Sequence, residues 1–192
     1  ANAGGFGGFG SVVTYDFGTS DYSGLWTASN DNANDFEYVI NSTSSDPALA
    51  YSTGIARIMK AFAFERLVNQ FNNVPYTEAL KGVANLQPKY ADSVFVYKAC
   101  IAELTKAVSD ITTAQAAVAP TTDKLLPSTD PLFGGDMNKW KQFAQTVKLR
   151  MLIKMAGVPA HAAYATTEFA KLSSSIGYLS QDALVQPGYE KT

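Results

Sequence analysis

The aromatic and polar side chains between residues 15 and 31 are the groups of this sequence best suited to binding chemistry. Tyr15, Tyr22 and Trp26 carry rings that can stack on the apolar face of a sugar or of a peptide side chain. Asn30 and Asp31 can form hydrogen bonds to the polar groups of the same ligand. We therefore predict that these residues bind a ligand. In the competing interpretation, Trp26 is buried against the first long helix of the chain and does not contact a ligand.

The groups that hydrolysis requires do not converge in the sequence. A hydrolase needs placed carboxylates, or a nucleophile beside a base. The single histidine, His161, falls at the start of an alanine-rich helix, and the single cysteine, Cys100, has apolar neighbours that predict burial. We therefore predict that the chain is not an enzyme and that it uses no cofactor.

Metal and nucleotide patterns are equally incomplete. One histidine and one cysteine do not provide the ligand spacing of a zinc site. The acidic and amide residues of 31–37 do not occupy the ligand positions of a calcium loop, and its turn glycine is absent from this segment. We therefore predict no metal. A calcium site built from oxygen ligands alone is the alternative that the sequence does not exclude. The glycines at 5, 7 and 10 match the spacing of a dinucleotide fingerprint but lack the strand and the helix that it requires.

Charge and hydropathy narrow the classes of partner further. The formal net charge of −2 provides no general attraction for nucleic acid, and no run of about 18 apolar residues predicts a membrane span. Lys148, Arg150 and Lys154 fall in the second half of a predicted helix, where cations interact favourably with the helix dipole. We interpret them as a solvated face rather than as an anion site.

Four helices are predicted from caps and hydrophobic spacing. Asp46, Asp92 and Asp136 can each cap a helix start, and the apolar residues that follow recur at spacings of three and four. The predicted ranges are 47–72, 92–111, 136–156 and 159–173, with a short helix around 35–39. The regular stripe of the second range is formed by Val94, Tyr97, Ile101, Leu104, Val108 and Ile111.

These elements predict an all-α fold built from helical hairpins. Residues 1–45 are rich in glycine, aromatic and polar residues and predict a loop-rich segment, whereas residues 46–178 predict the helical domain. Residues 179–192 are expected to begin a further, C-terminal region. Trp140 is assigned to the core of the third long helix.

Several ordered segments resemble signature segments of the SusD/RagB family. They are FERLV at 64–68, NVPYTEAL at 73–80, PKYADSVFVY at 88–97, GGDMNKW at 134–140 and FAQTVKLR at 143–150. Asn73 stands where an acidic residue is commoner in the family. The sequence also contains no N-terminal lipobox cysteine, and it stops where family members continue, so we expect it to be an N-terminal part.

The resemblance implies a tetratricopeptide-like scaffold in a lipid-anchored protein of the outer-membrane surface. It further implies capture of a glycan or peptide nutrient for import by a SusC-like TonB-dependent transporter. The family has no universal ligand motif that could be carried over to this sequence. The alternative function is a helical-repeat adaptor that binds a protein partner in a concave groove and has no nutrient ligand.

Overall fold

The computed structural model describes residues 18–117 and 129–185, and helices dominate both ranges. Tyr15 and the glycine pattern at 5–10 lie outside these ranges. The helices are α1 (Ser23–Thr43), α2 (Ala50–Phe71), α3 (Ser93–Ala116), α4 (Met137–Ala156) and α5 (Pro159–Phe169). Two short strands, β1 (Val74–Pro75) and β2 (Tyr90–Ala91), join α2 to α3 as an antiparallel pair. The all-α prediction is confirmed.

Aspartate side chains start three of these elements. Asp46 accepts a hydrogen bond from the backbone N–H two residues further on, at the 3-10 turn that precedes α2. Asp92 and Asp136 each accept bonds from the second and third backbone N–H groups of the helix that follows. Such caps satisfy N–H groups that have no partner inside the helix. The predicted starts of α3 and α4 are therefore confirmed, whereas the predicted start at 47 is the beginning of a 3-10 turn, Pro47–Leu49, and α2 itself begins at Ala50.

Each helix packs against the next one along the chain, and α2 also contacts α4. This is the arrangement of tetratricopeptide-like helical hairpins. The core contains large side chains from three helices, each of which contributes about 1.5–3 kcal/mol when fully buried. The members with less than 2% exposure include Ile58, Phe64 and Leu67 of α2, Ile101, Leu104 and Ile111 of α3, and Val147, Met151 and Leu152 of α4.

The prediction of a loop-rich segment before residue 46 is wrong for residues 23–43, which form the 21-residue helix α1. Only Ala33 and Ile40 of this helix are buried, so its apolar stripe is narrow and its sequence looks like a polar loop. Packing on α2 supplies the missing stability. Glu37 forms an ion pair with Lys60 of α2 at 2.7 Å, and the Thr43 and Thr53 hydroxyls lie 2.7 Å apart. The division of the chain at residue 45 stays a prediction.

The ends of two other helices also differ from the prediction. The apolar stripe of helix α3 ends at Ile111, which is fully buried, and the prediction placed the helix end there. The helix itself continues to Ala116. Helix α5 ends at Phe169, before the predicted end at 173. The chain then runs along α4, where the Gln145 amide hydrogen-bonds to backbone groups of Ser173 and Gly177.

Candidate functional site

Helix α1 contains three of the predicted ligand-binding residues, Trp26, Asn30 and Asp31. Tyr22 immediately precedes the helix with a left-handed backbone (φ 62°), so helical periodicity does not place its side chain. Trp26 and Asn30 are four residues apart, and since each helical residue turns by about 100°, they lie on one face of the helix. Asp31 is exposed and lies about 140° around the helix from Trp26. The structure therefore brings Trp26 and Asn30 together and places Asp31 on another side of the helix.

Trp26 has a half-buried ring between two aromatic neighbours. Its edge-to-face contact with Phe71, with centroids 5.1 Å apart and planes at 88°, fixes it to the end of α2. The expected packing of Trp26 against the first long predicted helix is thus present. The same ring also lies nearly parallel to Tyr90, at 6.1 Å and 20°. Both arrangements fall within the range of favourable aromatic pairs.

Tyr90 is the residue that the sequence did not single out for binding. It lies in β2, where pairing with Pro75 of β1 places it beside α1. Its side chain is 65% exposed, which leaves most of the ring open to solvent. The sequence shows an aromatic residue just before the Asp92 cap, but only the strand register puts that ring next to Trp26. We call the Trp26 and Tyr90 rings the aromatic platform.

Asn30 borders the platform with a side chain that is already oriented. Its Nδ2 donates a hydrogen bond to the Trp26 carbonyl oxygen at 2.9 Å. An amide has two N–H donors and an acceptor oxygen, so one N–H and the oxygen remain for a ligand. Two nearly parallel rings beside an amide can bind the C–H face of a sugar ring and one of its hydroxyl groups.

A second polar region lies between α2 and α4. Glu65 of α2 is only 1% exposed, and its carboxylate accepts hydrogen bonds from Arg150, Lys154 and Asn69. A buried carboxylate needs such partners, because it has lost its water. Arg150 and Lys154 are therefore not simply a solvated face: they hold a buried charge.

Lys148 contradicts the predicted solvated face most clearly. It is 3% exposed, and its Nζ lies 2.9 Å from both the Glu168 carboxylate and the Thr105 hydroxyl. Burial acts to raise the pKa of Glu168, but hydrogen bonds from Lys148 and Lys171 outweigh burial and lower that pKa. The ion pair ties α5 to α4, so its role is structural.

The residues considered for catalysis lie apart from the platform. Cys100 is fully buried, and burial raises the pKa of its thiol, which keeps it protonated. His161 is half-buried in the first turn of α5. Within residues 18–117 and 129–185, no group of three or more His, Cys, Asp or Glu side chains is placed to hold a metal ion.

Trp140 is 3% exposed, as predicted for a core residue, and its indole N–H donates to Asp130 at 2.7 Å.

None of the helices in the described part of the chain is long and apolar enough to cross a membrane.

Comparison with known proteins gives one family and a set of related structures. Residues 6–187 match a SusD-like family that is described as "Starch-binding associating with outer membrane". No curated protein sequence matches the chain. A chitin-binding SusD homologue from Flavobacterium johnsoniae superposes with a TM-score of 0.76 at 24% identity, covering 89% of this chain and 35% of that one.

Two further structures share the fold at slightly higher identity. A chitin-binding protein is 27% identical with a TM-score of 0.63, covering 82% of this chain and 32% of its own. A SusD-like protein from Bacteroides thetaiotaomicron VPI-5482 is 26% identical with a TM-score of 0.60, covering 74% and 27%. The chain thus spans between 27% and 35% of the length of these solved structures.

Proposed function

The chain belongs to the SusD-like family of outer-membrane proteins associated with starch binding, and we propose that it captures a nutrient glycan at the cell surface. Members of this family are binding proteins rather than enzymes. The observation that carries the proposal is the family match over residues 6–187, together with an exposed aromatic platform inside the matched region. Capture without chemical change is the activity that we expect.

Trp26 and Tyr90 are proposed to form the ligand surface, with Asn30 at its edge. The Tyr90 ring is exposed, and the contact with Phe71 holds the Trp26 ring in place before a ligand arrives. A preformed surface costs less ordering entropy on binding. Two of the related structures are chitin-binding proteins, so oligomers of N-acetylglucosamine are the first ligands to test. Peptides are the alternative ligand class.

The proposed partner is a SusC-like TonB-dependent transporter, and the proposed attachment is a lipid anchor at the outer membrane. Both follow from the family resemblance. In this arrangement the protein binds the nutrient reversibly and the transporter supplies the energy for uptake. If no small ligand binds, the alternative function replaces this proposal: a helical-repeat adaptor that binds a protein partner and has no nutrient ligand.

Ligand binding is tested by titrating the protein with chitooligosaccharides, maltooligosaccharides and a peptide mixture in a calorimeter. We expect Tyr90→Ala to weaken binding of the preferred oligosaccharide by roughly tenfold, because it removes an exposed stacking surface. Tyr38→Ala is the matched control, since Tyr38 is a 73% exposed tyrosine on α1 outside the platform. Equal affinities of the Tyr90→Ala variant and the wild type would exclude the platform as the site.

The partnership is tested by purifying a tagged copy of the protein from outer membranes. Recovery of a TonB-dependent transporter in a stable complex is expected. The same preparations, incubated with oligosaccharide and followed by mass spectrometry, should show no product. Recovery of a different protein partner together with an absence of glycan and peptide binding would support the adaptor alternative.

A further inference from the structure

A pocket at one end of the helical layers is separate from the aromatic platform. Its volume is about 290 Å³, close to the lower end of ligand pockets, and that is enough for one sugar ring or one amino-acid side chain. The end of α2, the start of α3, the end of α4 and the start of α5 surround it. Val68, Val94 and Met155 supply an apolar lining. We call this cavity the end pocket.

The polar lining of the end pocket contains one cation, several groups that can donate hydrogen bonds, and no carboxylate. Among the described residues, those that line it with polar side chains are Asn69, Asn72, Ser93, Tyr97, Lys154 and His161. Among the residues that the structure describes, the side chains of Asn72 and His161 have no hydrogen-bond partner. Lys154 has one, the Glu65 carboxylate at 3.3 Å, so two of its three N–H donors remain.

Buried Glu65 holds Lys154 at the wall of the pocket. Arg150 and Lys154 share this single carboxylate, so the three groups together carry one excess positive charge. Asn69 is fixed between Glu65, to which its Nδ2 donates at 3.0 Å, and the Tyr97 hydroxyl, which donates to its Oδ1. In the described part of the chain, the second N–H of Asn69 has no partner. The C-terminal ends of α2 and α4 and the N-terminal ends of α3 and α5 meet at the pocket, so their helix dipoles oppose one another. The charge at the pocket therefore depends on its side chains.

We propose that the end pocket binds the carboxylate group of a ligand whose body is a single apolar-faced unit. The carboxylate accepts hydrogen bonds from Lys154 and the adjacent amides, and the remainder packs on Val68 and Met155. Charge-assisted hydrogen bonds from a cation are stronger than neutral ones. Two sources share this chemistry: a uronic acid sugar and an acidic amino-acid side chain. No lining residue of the pocket belongs to the aromatic platform.

The test titrates the full chain with matched charged and neutral probes: galacturonic acid against galactose, and N-acetylglutamate amide against N-acetylglutamine amide. Chemical-shift changes at amides around the pocket report binding. We expect at least one carboxylate probe to bind, its neutral partner to bind at least about tenfold more weakly, and added salt to weaken binding. The probe that binds identifies the source. No binding of either carboxylate at millimolar concentration overturns the proposal, as does equal binding of a charged probe and its neutral partner.

Variants separate the pocket from a general charge effect. Lys154→Met should weaken carboxylate binding at least about tenfold, and Arg150 should keep Glu65 paired. Lys171→Met is the matched control, because Lys171 is also a half-exposed cation that holds a buried carboxylate, Glu168. It should bind the probe as the wild type does. Equal losses in both variants would contradict the proposal.

A second substitution does not disturb the buried ion pairs. Asn72→Asp places a negative charge at the exposed rim of the pocket and should abolish carboxylate binding, with only a small decrease in melting temperature because the charge lies at the C-terminal end of α2. Unchanged binding in this variant would contradict the proposed site. Tyr90→Ala should bind carboxylates normally, so failure of the glycan proposal and failure of this one give different results.

Discussion

Helices α1 and α3 have similar lengths, 21 and 24 residues, but they are held in the fold in different ways. Helix α1 buries only Ala33 and Ile40, and it exposes aromatic and polar side chains over most of its surface. Helix α3 buries a continuous set: Val96, Tyr97, Cys100, Ile101, Leu104, Ala107 and Ile111. The comparison indicates that α3 supplies much of the buried core, whereas α1 packs on α2 with few buried side chains and presents the aromatic platform.

The largest expected difference between the two helices comes from truncating leucines. Leu104→Ala in α3 should lower the free energy of unfolding by about 2–5 kcal/mol, because it leaves a cavity in the core. Leu25→Ala in α1 should cost less than about 1 kcal/mol, since Leu25 is 41% exposed. Denaturant unfolding of both variants measures this. Similar losses would contradict the division of roles.

Glycine substitutions should change stability in opposite directions. A Cβ atom at Gly54 of α2 would lie 2.7 Å from a side-chain carbon of Ile111 of α3, so Gly54→Ala should destabilise the protein by about 1–3 kcal/mol. Gly24 of α1 has open space around it, and Gly24→Ala should stabilise the helix by about 0.5–1 kcal/mol. Thermal unfolding distinguishes the two signs, and stabilisation by Gly54→Ala would show that the contact with α3 is loose.

Two matched ion pairs allow α1 and α3 to be compared through smaller changes in stability. Arg57 and Glu103 connect α2 to α3 at 2.6 Å, and Lys60 and Glu37 connect α2 to α1 at 2.7 Å, with similar exposure. Replacing either glutamate by glutamine should cost about 1 kcal/mol or less. We expect Glu103→Gln to lower global stability and Glu37→Gln mainly to increase local opening of α1.

Amide hydrogen exchange measures that difference residue by residue. In the Glu37→Gln variant, faster exchange should be confined to α1, because only two of its side chains are buried. In the Glu103→Gln variant, the slowest amides of α2 and α3 should exchange faster. Uniform acceleration in both variants would show that α1 and α3 unfold as one unit.

Local interactions explain which parts of the fold the sequence predicts well. A capping aspartate bonds to N–H groups two or three residues away, so Asp92 and Asp136 mark helix starts without any knowledge of the fold. The stripe around Leu104 is equally local, because helical periodicity alone places its members on one side. The ordered signature segments identified the family for the same reason: they are short and contiguous.

Contacts between distant residues were decided by the tertiary structure alone. Glu65 and Arg150 are 85 positions apart, so neither could be recognised as a partner of the other, and Arg150 was interpreted as solvated. Tyr90 joins Trp26 only through the register of β1 and β2. Helix α1 forms because α2 covers its narrow apolar stripe, and that packing energy is not encoded in its local sequence. The sequence determined which helices begin where, because caps and periodicity act over a few residues; the burial of charges and the pairing of aromatic rings depend on how those helices pack.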